Sequence, residues 1–273
     1  MKQDYSTLSV NLDAGVAELR LNRPDKANAL SRPMWQELRE AARDLDATPE
    51  ARVVVLAGAG RHFCAGIDLG MLAEFEDAAG GTGCPGRAGE RMHATITDLQ
   101  DVLTWFERCR KPVLAAVHGA CVGAGLDLAV ACDLRYACAD ARFSVKEVDM
   151  GLVADVGVLQ RLPRIVGEGV ARELAYTCRS VSGREAAELR LANRCFDTPE
   201  ELRKGVLDIA RELAAKSPLA LRGTKRAISY ARDHSVADAL DQVASWNAAT
   251  LRSADLREAV TAHLEKRPPV FSD

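Results

Sequence analysis

The chain has 273 residues, 48% hydrophobic and 27% charged, with 20 glycines, 10 prolines and a formal net charge of −3. At roughly 100–200 residues per domain that is one large domain, or one domain with an appendage. This balance excludes a disordered chain, a collagen or coiled-coil repeat, and a basic surface built for nucleic acid or an anionic membrane.

Two strand-like runs open the chain at 7–11 and 16–21, joined by a turn at Asp13-Ala14-Gly15. Ser31 is placed to cap a helix running to about 47, with Pro33 tolerated in its first turn. Residues 52–58 are β-branched and almost continuously apolar, as a strand buried on both faces requires. A loop is expected over 58–70. Five glycines and a proline between 78 and 89 predict a second, mobile loop. A helix follows near 91–109, then a buried strand at 112–118, an apolar helix at 123–132 and a short strand at 133–138. Beyond 165 the pattern is mostly helical. Over 235–265, Val236, Leu240, Val243 and Trp246 recur at helical spacing. Strands alternating with helices make the class α/β.

The eight cysteines (64, 84, 109, 121, 132, 138, 178 and 195) contain no Cys-x-x-Cys pair, so neither a zinc site nor a disulfide framework is expected. The N-terminus lacks the apolar run of a secretory signal, and no uncharged stretch reaches the roughly 18 residues of a membrane span. The C-terminal Pro-Val-Phe-Ser-Asp is not a peroxisomal address. A cytoplasmic protein with free thiols is the expectation.

Phosphate-loop, nucleophile-elbow and zinc-protease motifs are absent. Two Gly-x-Gly pairs follow strands, at Gly58/Gly60 and Gly123/Gly125, but Phe63 and Leu128 stand where a dinucleotide fingerprint has its third glycine. Such turns leave N–H groups free to meet an anion, and two of them could converge on one carbonyl oxygen. Tight turns imposed by close packing are the plain alternative. Three carboxylates lie in apolar company: Asp127, Glu147 and Asp155. Burying a carboxylate is costly, so such positions point to raised pKa values and proton transfer. The bland readings are that Asp155 caps a helix at 156–166, that Asp127 pairs with an arginine such as Arg161, and that Glu147 is a solvated loop residue.

Together these features resemble the crotonase (enoyl-CoA hydratase/isomerase) superfamily over nearly the whole chain. The resemblance rests on Asn-Arg-Pro-Asp-Lys-Ala-Asn-Ala-Leu at 22–30, Phe-Cys-Ala-Gly-Ile-Asp-Leu at 63–69, the block 111–167, and the tail segments 217–220 and 230–235. It implies a spiral of ββα units with a helical C-terminal trimerisation region. The division is 1–197 for the core and 198–273 for the helices, assembled as a homotrimer or homohexamer. Asp127 and Glu147 are 20 residues apart and Glu147 and Asp155 are 8 apart, a set similar to the dienoyl-CoA isomerase branch. Hydratases of the superfamily carry glutamate and glycine at the positions of Asp127 and Asp155.

By that resemblance the reaction is isomerisation of 3,5-dienoyl-CoA to 2,4-dienoyl-CoA, in fatty-acid β-oxidation, without a cofactor beyond the coenzyme A of the substrate. Glu147 would exchange the C2 proton and Asp155 the C6 proton, with Asp127 tuning the pair. The backbone N–H groups of Ile67 and Ala124 would form the oxyanion hole, although the family usually has glycine at the latter position. Lys26, Ala27, Ala29, Ala65, Gly66, Asp68, Leu69 and Gly125 would line the CoA thioester site, with Lys26 or Arg23 near phosphate. The competing readings are an enoyl-CoA hydratase and a non-catalytic CoA- or RNA-binding relative.

Overall fold

The computed structural model describes residues 4–79 and 84–273, with 75–79 described by their backbone. The first hairpin pairs β1 (Leu8–Asp13) with β2 (Val16–Leu21) in antiparallel register, Asp13 opposite Val16. Ala14 and Gly15 both take positive φ in the connecting turn, +47° and +81°, the twist a tight hairpin needs. Helix α1 (Arg32–Ala47) buries Met34, Trp35, Leu38, Ala41, Ala42 and Leu45, one face at helical spacing. Ser31 occupies its N-cap, but the hydroxyl makes no capping bond.

β3 (Val53–Gly58) is followed by α2 (Leu69–Ala79) and α3 (Pro85–Arg108). The loop predicted over 78–89 is therefore corrected at both ends. Ala79 closes α2, and Pro85 enters the first turn of α3, where its missing N–H costs nothing. Residues 80–83 of that loop lie outside the described residues.

The chain then lays down β4 (Val113–Val117), β5 (Ala120–Val122), α4 (Ala124–Ala131), β6 (Leu134–Cys138), β7 (Arg142–Ser144), α5 (Val158–Val166) and α6 (Glu168–Thr177). Next come β8 (Val181–Ser182), α7 (Gly183–Glu188), β9 (Arg194–Phe196) and α8 (Pro199–Ala214). Last are α9 (Pro218–Ala231), α10 (Val236–Thr250) and α11 (Ala254–Glu265).

From β4 onward, each turn of the chain adds a strand to each of two sheets. The larger runs β1-β2-β3-β4-β6-β9, parallel after its first pair, and the smaller runs β5-β7-β8. β4, β5 and α4 form one ββα unit; β6, β7 and α5 form the next. A parallel backbone bridge between Cys64 and Cys121, whose thiols are free, gives the β3 unit its own short contact with the smaller sheet. This is the spiral expected from the resemblance.

Alternation along β3 shows why its sequence reads as continuously apolar. Val54 and Leu56 face the core with α1 and α3, while Val53 and Val55 join Leu114, Ala116, Tyr136 and Phe196 under α8. Because α8 covers that second face with Leu202, Val206, Ala210 and Ala214, it packs with the sheet although it follows residue 197. The helices that stand away are α9, α10 and α11. Serines 217, 235 and 253 cap all three through their hydroxyls, and α10 buries no residue in the single chain. No helix among the described residues is long and apolar enough to cross a membrane, and all eight cysteines are free.

Candidate active site

Segment 63–68 is held on both sides by backbone bonds. Cys64 N–H donates to Ala120 O at 2.8 Å and Val122 N–H to Cys64 O at 3.0 Å, tying it to β5. Opposite, Leu30 N–H donates to Gly66 O at 2.8 Å and Asp68 N–H to Leu30 O at 3.1 Å. The intervening Ile67 N–H donates to no described residue, and neither does Ala124 N–H at the head of α4. The two turns meet: Gly66 has φ +99°, and a Cβ placed on it would lie 2.9 Å from Val122 O and 3.8 Å from Ala124 N. Only glycine allows so close an approach. Two unclaimed amides from different turns are thus brought together. The turn that approaches Ala124 is the one at Gly66, not the Gly58/Gly60 pair, whose glycines are explained by close packing against His62, Phe63 and Pro24.

Glu147 arrives at the same place from β7. A Cβ on Gly123 would sit 3.2 Å from Glu147 Oε1, and Lys146 N–H donates to Glu147 Oε2 at 2.8 Å. Glu147 is half-buried, which overturns the solvated-loop reading.

Asp127 lies in α4, all eight residues of which are buried. Its Oδ1 accepts the Val158 N–H at 2.5 Å, while Oδ2 has no partner among the described residues. Burial first, then the charges of Glu147 and Asp155, push its carboxyl up from 3.8 to about 8. Burial likewise raises Glu147, with a further contribution from Asp155. Asp155 is solvent-accessible, yet partial desolvation raises its carboxyl too. The three acids therefore face one another electrostatically.

Two bland readings fall here. Gly157, not Asp155, is the N-cap of α5, and the acceptor for its first turn comes from Asp127 in a different helix. Arg161 does not pair with Asp127; its guanidinium is bonded to Glu107 at 2.7 Å.

The remaining candidates separate. Lys26 is exposed beside Ala27 and Ala29, whereas Arg23 is committed to Ala29 O at 2.7 Å and Asp68 Oδ2 at 2.9 Å. Asp68 is thereby a loop-pinning partner, its other oxygen accepting Gly70 N–H at 3.0 Å. Ala65 and Leu69 are exposed beside the Ile67 turn, and Gly125 packs against the Cys64 backbone inside α4. Asn28, given no role of its own from sequence, is fully buried, and its side-chain amide donates to Ala59 O and His62 O at 2.9 and 2.7 Å. Its sequence signal was its place in the motif 22–30 on which the resemblance rests. A cavity of about 780 Å³ between α3, α5 and α9 contains none of the predicted site residues. No group of described residues is arranged to hold a metal ion.

The profile of the enoyl-CoA hydratase/isomerase family matches residues 11–273. The chain belongs to that family. Among its relatives, the peroxisomal Δ3,5-Δ2,4-dienoyl-CoA isomerase of Arabidopsis thaliana is 47% identical, covering 99% of this chain and 98% of its own. The mitochondrial Δ3,5-Δ2,4-dienoyl-CoA isomerase of Homo sapiens is 43% identical, covering 96% of this chain and 80% of its own. In structure, enoyl-CoA hydratase from Bacillus anthracis superposes with a TM-score of 0.88 at 30% identity, covering 98% of this chain and 99% of that one. The chain thus resembles dienoyl-CoA isomerases in sequence and an enoyl-CoA hydratase in fold. These relatives also correct the expected cytoplasmic location, since they are named for the peroxisome and the mitochondrion. Compartment is dictated by receptor-read addresses, on which the composition and packing of the core have no bearing.

Proposed function

We propose that this family member isomerises a 3,5-dienoyl-CoA to the 2,4-dienoyl-CoA. The observation that carries this reading is the third carboxylate: Asp155 shares its field with Glu147 and Asp127, and all three carboxyls are raised. A 1,5-proton shift needs two acid/base groups set apart along an extended chain, whereas adding water across C2–C3 gives Asp155 no task.

In the proposed sequence, Glu147 takes the C2 proton of the bound thioester. The electron pair spreads through the diene onto the thioester oxygen, where the Ile67 and Ala124 N–H groups receive it. Asp155 then delivers a proton to C6, the C2–C3 and C4–C5 double bonds form, and the charge returns to the carboxylates. Asp155, open to solvent, regains its proton from water, and Glu147 releases the C2 proton to water, which resets both groups. Asp127, buried and itself raised by the charges of Glu147 and Asp155, is the group that keeps its proton beside them. In the same reading the exposed Lys26 meets phosphate of coenzyme A. Assembly as a trimer, or a dimer of trimers, belongs to the same reading, with α9, α10 and α11 as the association surface and the strand-bearing part to residue 197 as the core.

The test is incubation of purified protein with 3,5-dienoyl-CoA and, separately, with 2-enoyl-CoA. Growth of the conjugated 2,4-diene absorbance is the expected result. Rapid loss of the enoyl band with no diene formation would replace the isomerase reading by the hydratase one.

A further inference from the structure

Asp127 is anchored in a buried helix, and Glu147 stands three residues beyond β7 with its Oε2 held by the Lys146 N–H, but Asp155 sits in irregular chain ahead of α5, between exposed Val153 and the Gly157 turn. Something must hold it in register, and one face of α3 does so. Gln100, Thr104 and Glu107 recur at i, i+4 and i+7, so they line a single stripe of that helix. Gln100 Nε2 donates to the Asp155 carbonyl at 2.6 Å. Glu107 Oε2 accepts from Arg161 Nε and Nη2 at 2.9 and 2.7 Å, and Thr104 Oγ1 accepts from Nη2 at 3.2 Å. Thr104 in turn donates to Gln100 O at 2.7 Å, fixing the lone pair that Arg161 uses.

The stretch 155–161 is therefore tied to α3 at both ends, and midway between the ties Val158 N–H is bonded to Asp127. Gly157 makes the second tie possible. Its φ is +130°, and a Cβ there would lie 1.9 Å from Arg161 Nη1, so the guanidinium folds across the bare turn. Both partners of the ion pair are largely shielded, with 13% and 22% of their side chains exposed, which favours a fixed geometry over a solvated contact. Glu107 Oε1 also takes Arg232 from the end of α9, so the brace reaches the C-terminal helices.

We propose that Gln100, Thr104 and the Glu107–Arg161 pair are positioning residues that hold Asp155, and the Val158 N–H on Asp127, in register with Glu147. The proposal rests on the isomerase reading and adds to it the element that determines where the distal proton is delivered. A purely structural role for the stripe would lower stability and leave the two proton transfers equally affected. A positioning role separates them, because Glu147 hangs from β7 and not from α3.

The test uses the full-length variants Gln100→Ala, Arg161→Met and Arg161→Lys. Gln100 is exposed, so its variant folds even where a substitution at shielded Arg161 does not. Amide hydrogen exchange is measured across the chain, together with 3,5-dienoyl-CoA turnover and wash-in of solvent deuterium at C2. The expected result is faster amide exchange confined to 154–160 and a kcat lower by roughly 10²-fold at unchanged KM, with C2 wash-in retained. Arg161→Lys should recover part of what Arg161→Met loses. Unchanged turnover, unchanged exchange over 154–160, or a parallel loss of turnover and C2 wash-in would each overturn the proposal. Failure of the wild-type protein to isomerise the diene is a different result: it removes the isomerase reading, while exchange over 154–160 still decides whether the stripe braces the segment.

Discussion

Three carboxylates with raised pKa values make different demands on substitution. Asp155→Asn keeps the size of the side chain and removes its transferable proton. Since Gly157 is the cap of α5, no capping is lost, and isomerisation should fall by roughly 10²–10⁴-fold. Deuterium should still wash into C2 through Glu147 in that variant, whereas Glu147→Gln should abolish both turnover and wash-in. Turnover and C2 exchange measured side by side check the pair, and a fully active Asp155→Asn would return the hydratase reading to first place. Asp127 makes a prediction about stability instead. Its carboxyl is raised from 3.8 to about 8, so between those values the folded chain keeps a proton that the unfolded chain releases. Stability from this group is therefore fully present at the acid end of that window and declines as pH rises through it. Asp127→Asn, which still offers an oxygen to Val158 N–H, removes the dependence. Its melting temperature should exceed that of the wild type at pH 8, with the difference shrinking steadily towards pH 4.

Elements are where the site gains its shape. The head of α4 presents Ala124 N–H beside the Ile67 turn, and this contribution is backbone, indifferent to the side chain. Ala124→Gly should thus keep substantial activity; a folded variant slowed a thousandfold would count against the oxyanion assignment. Asn28 stitches the neighbouring loops, with φ +56°, a left-handed conformation that asparagine tolerates better than most residues. Asn28→Ala would leave Ala59 O and His62 O without that donor, and urea titration should show a loss of about 1–3 kcal/mol. Long elements were legible from periodicity: β2, β3, β4, α1 and α4 fall within a residue or so of their expected limits. The strands β5, β7, β8 and β9, two or three residues each, were not, because so short a run contains no full period to read. Glycines at 86 and 89 hid the start of α3, since an exposed helix absorbs them once Pro85 has opened its first turn.

For the whole molecule the unpartnered surface is the informative feature. Val236, Leu240 and Leu264 are 78%, 62% and 76% exposed in the single chain, alongside Ile228, Leu251 and Val260. A lone chain would leave a large apolar surface in water. Light scattering at micromolar concentration should give at least a trimer, and Leu240→Asp should shift the population towards smaller species. A stable wild-type monomer would remove this expectation.

What the sequence determined by itself is the frame: an α/β spiral, the strands buried on both faces, two glycine turns, and three acids in apolar surroundings. Each of these is encoded locally, in the period of apolar residues or in a charge out of place. Only the tertiary structure decided how the acids are held. Asp127 accepts the first N–H of α5 from 31 residues away, Arg161 meets Glu107 and not Asp127, and a stripe on α3 reaches Asp155 from 55 residues away. A polar side chain on a helix looks the same in sequence whether it meets water or a distant carbonyl, and only the packing of separate elements settles which.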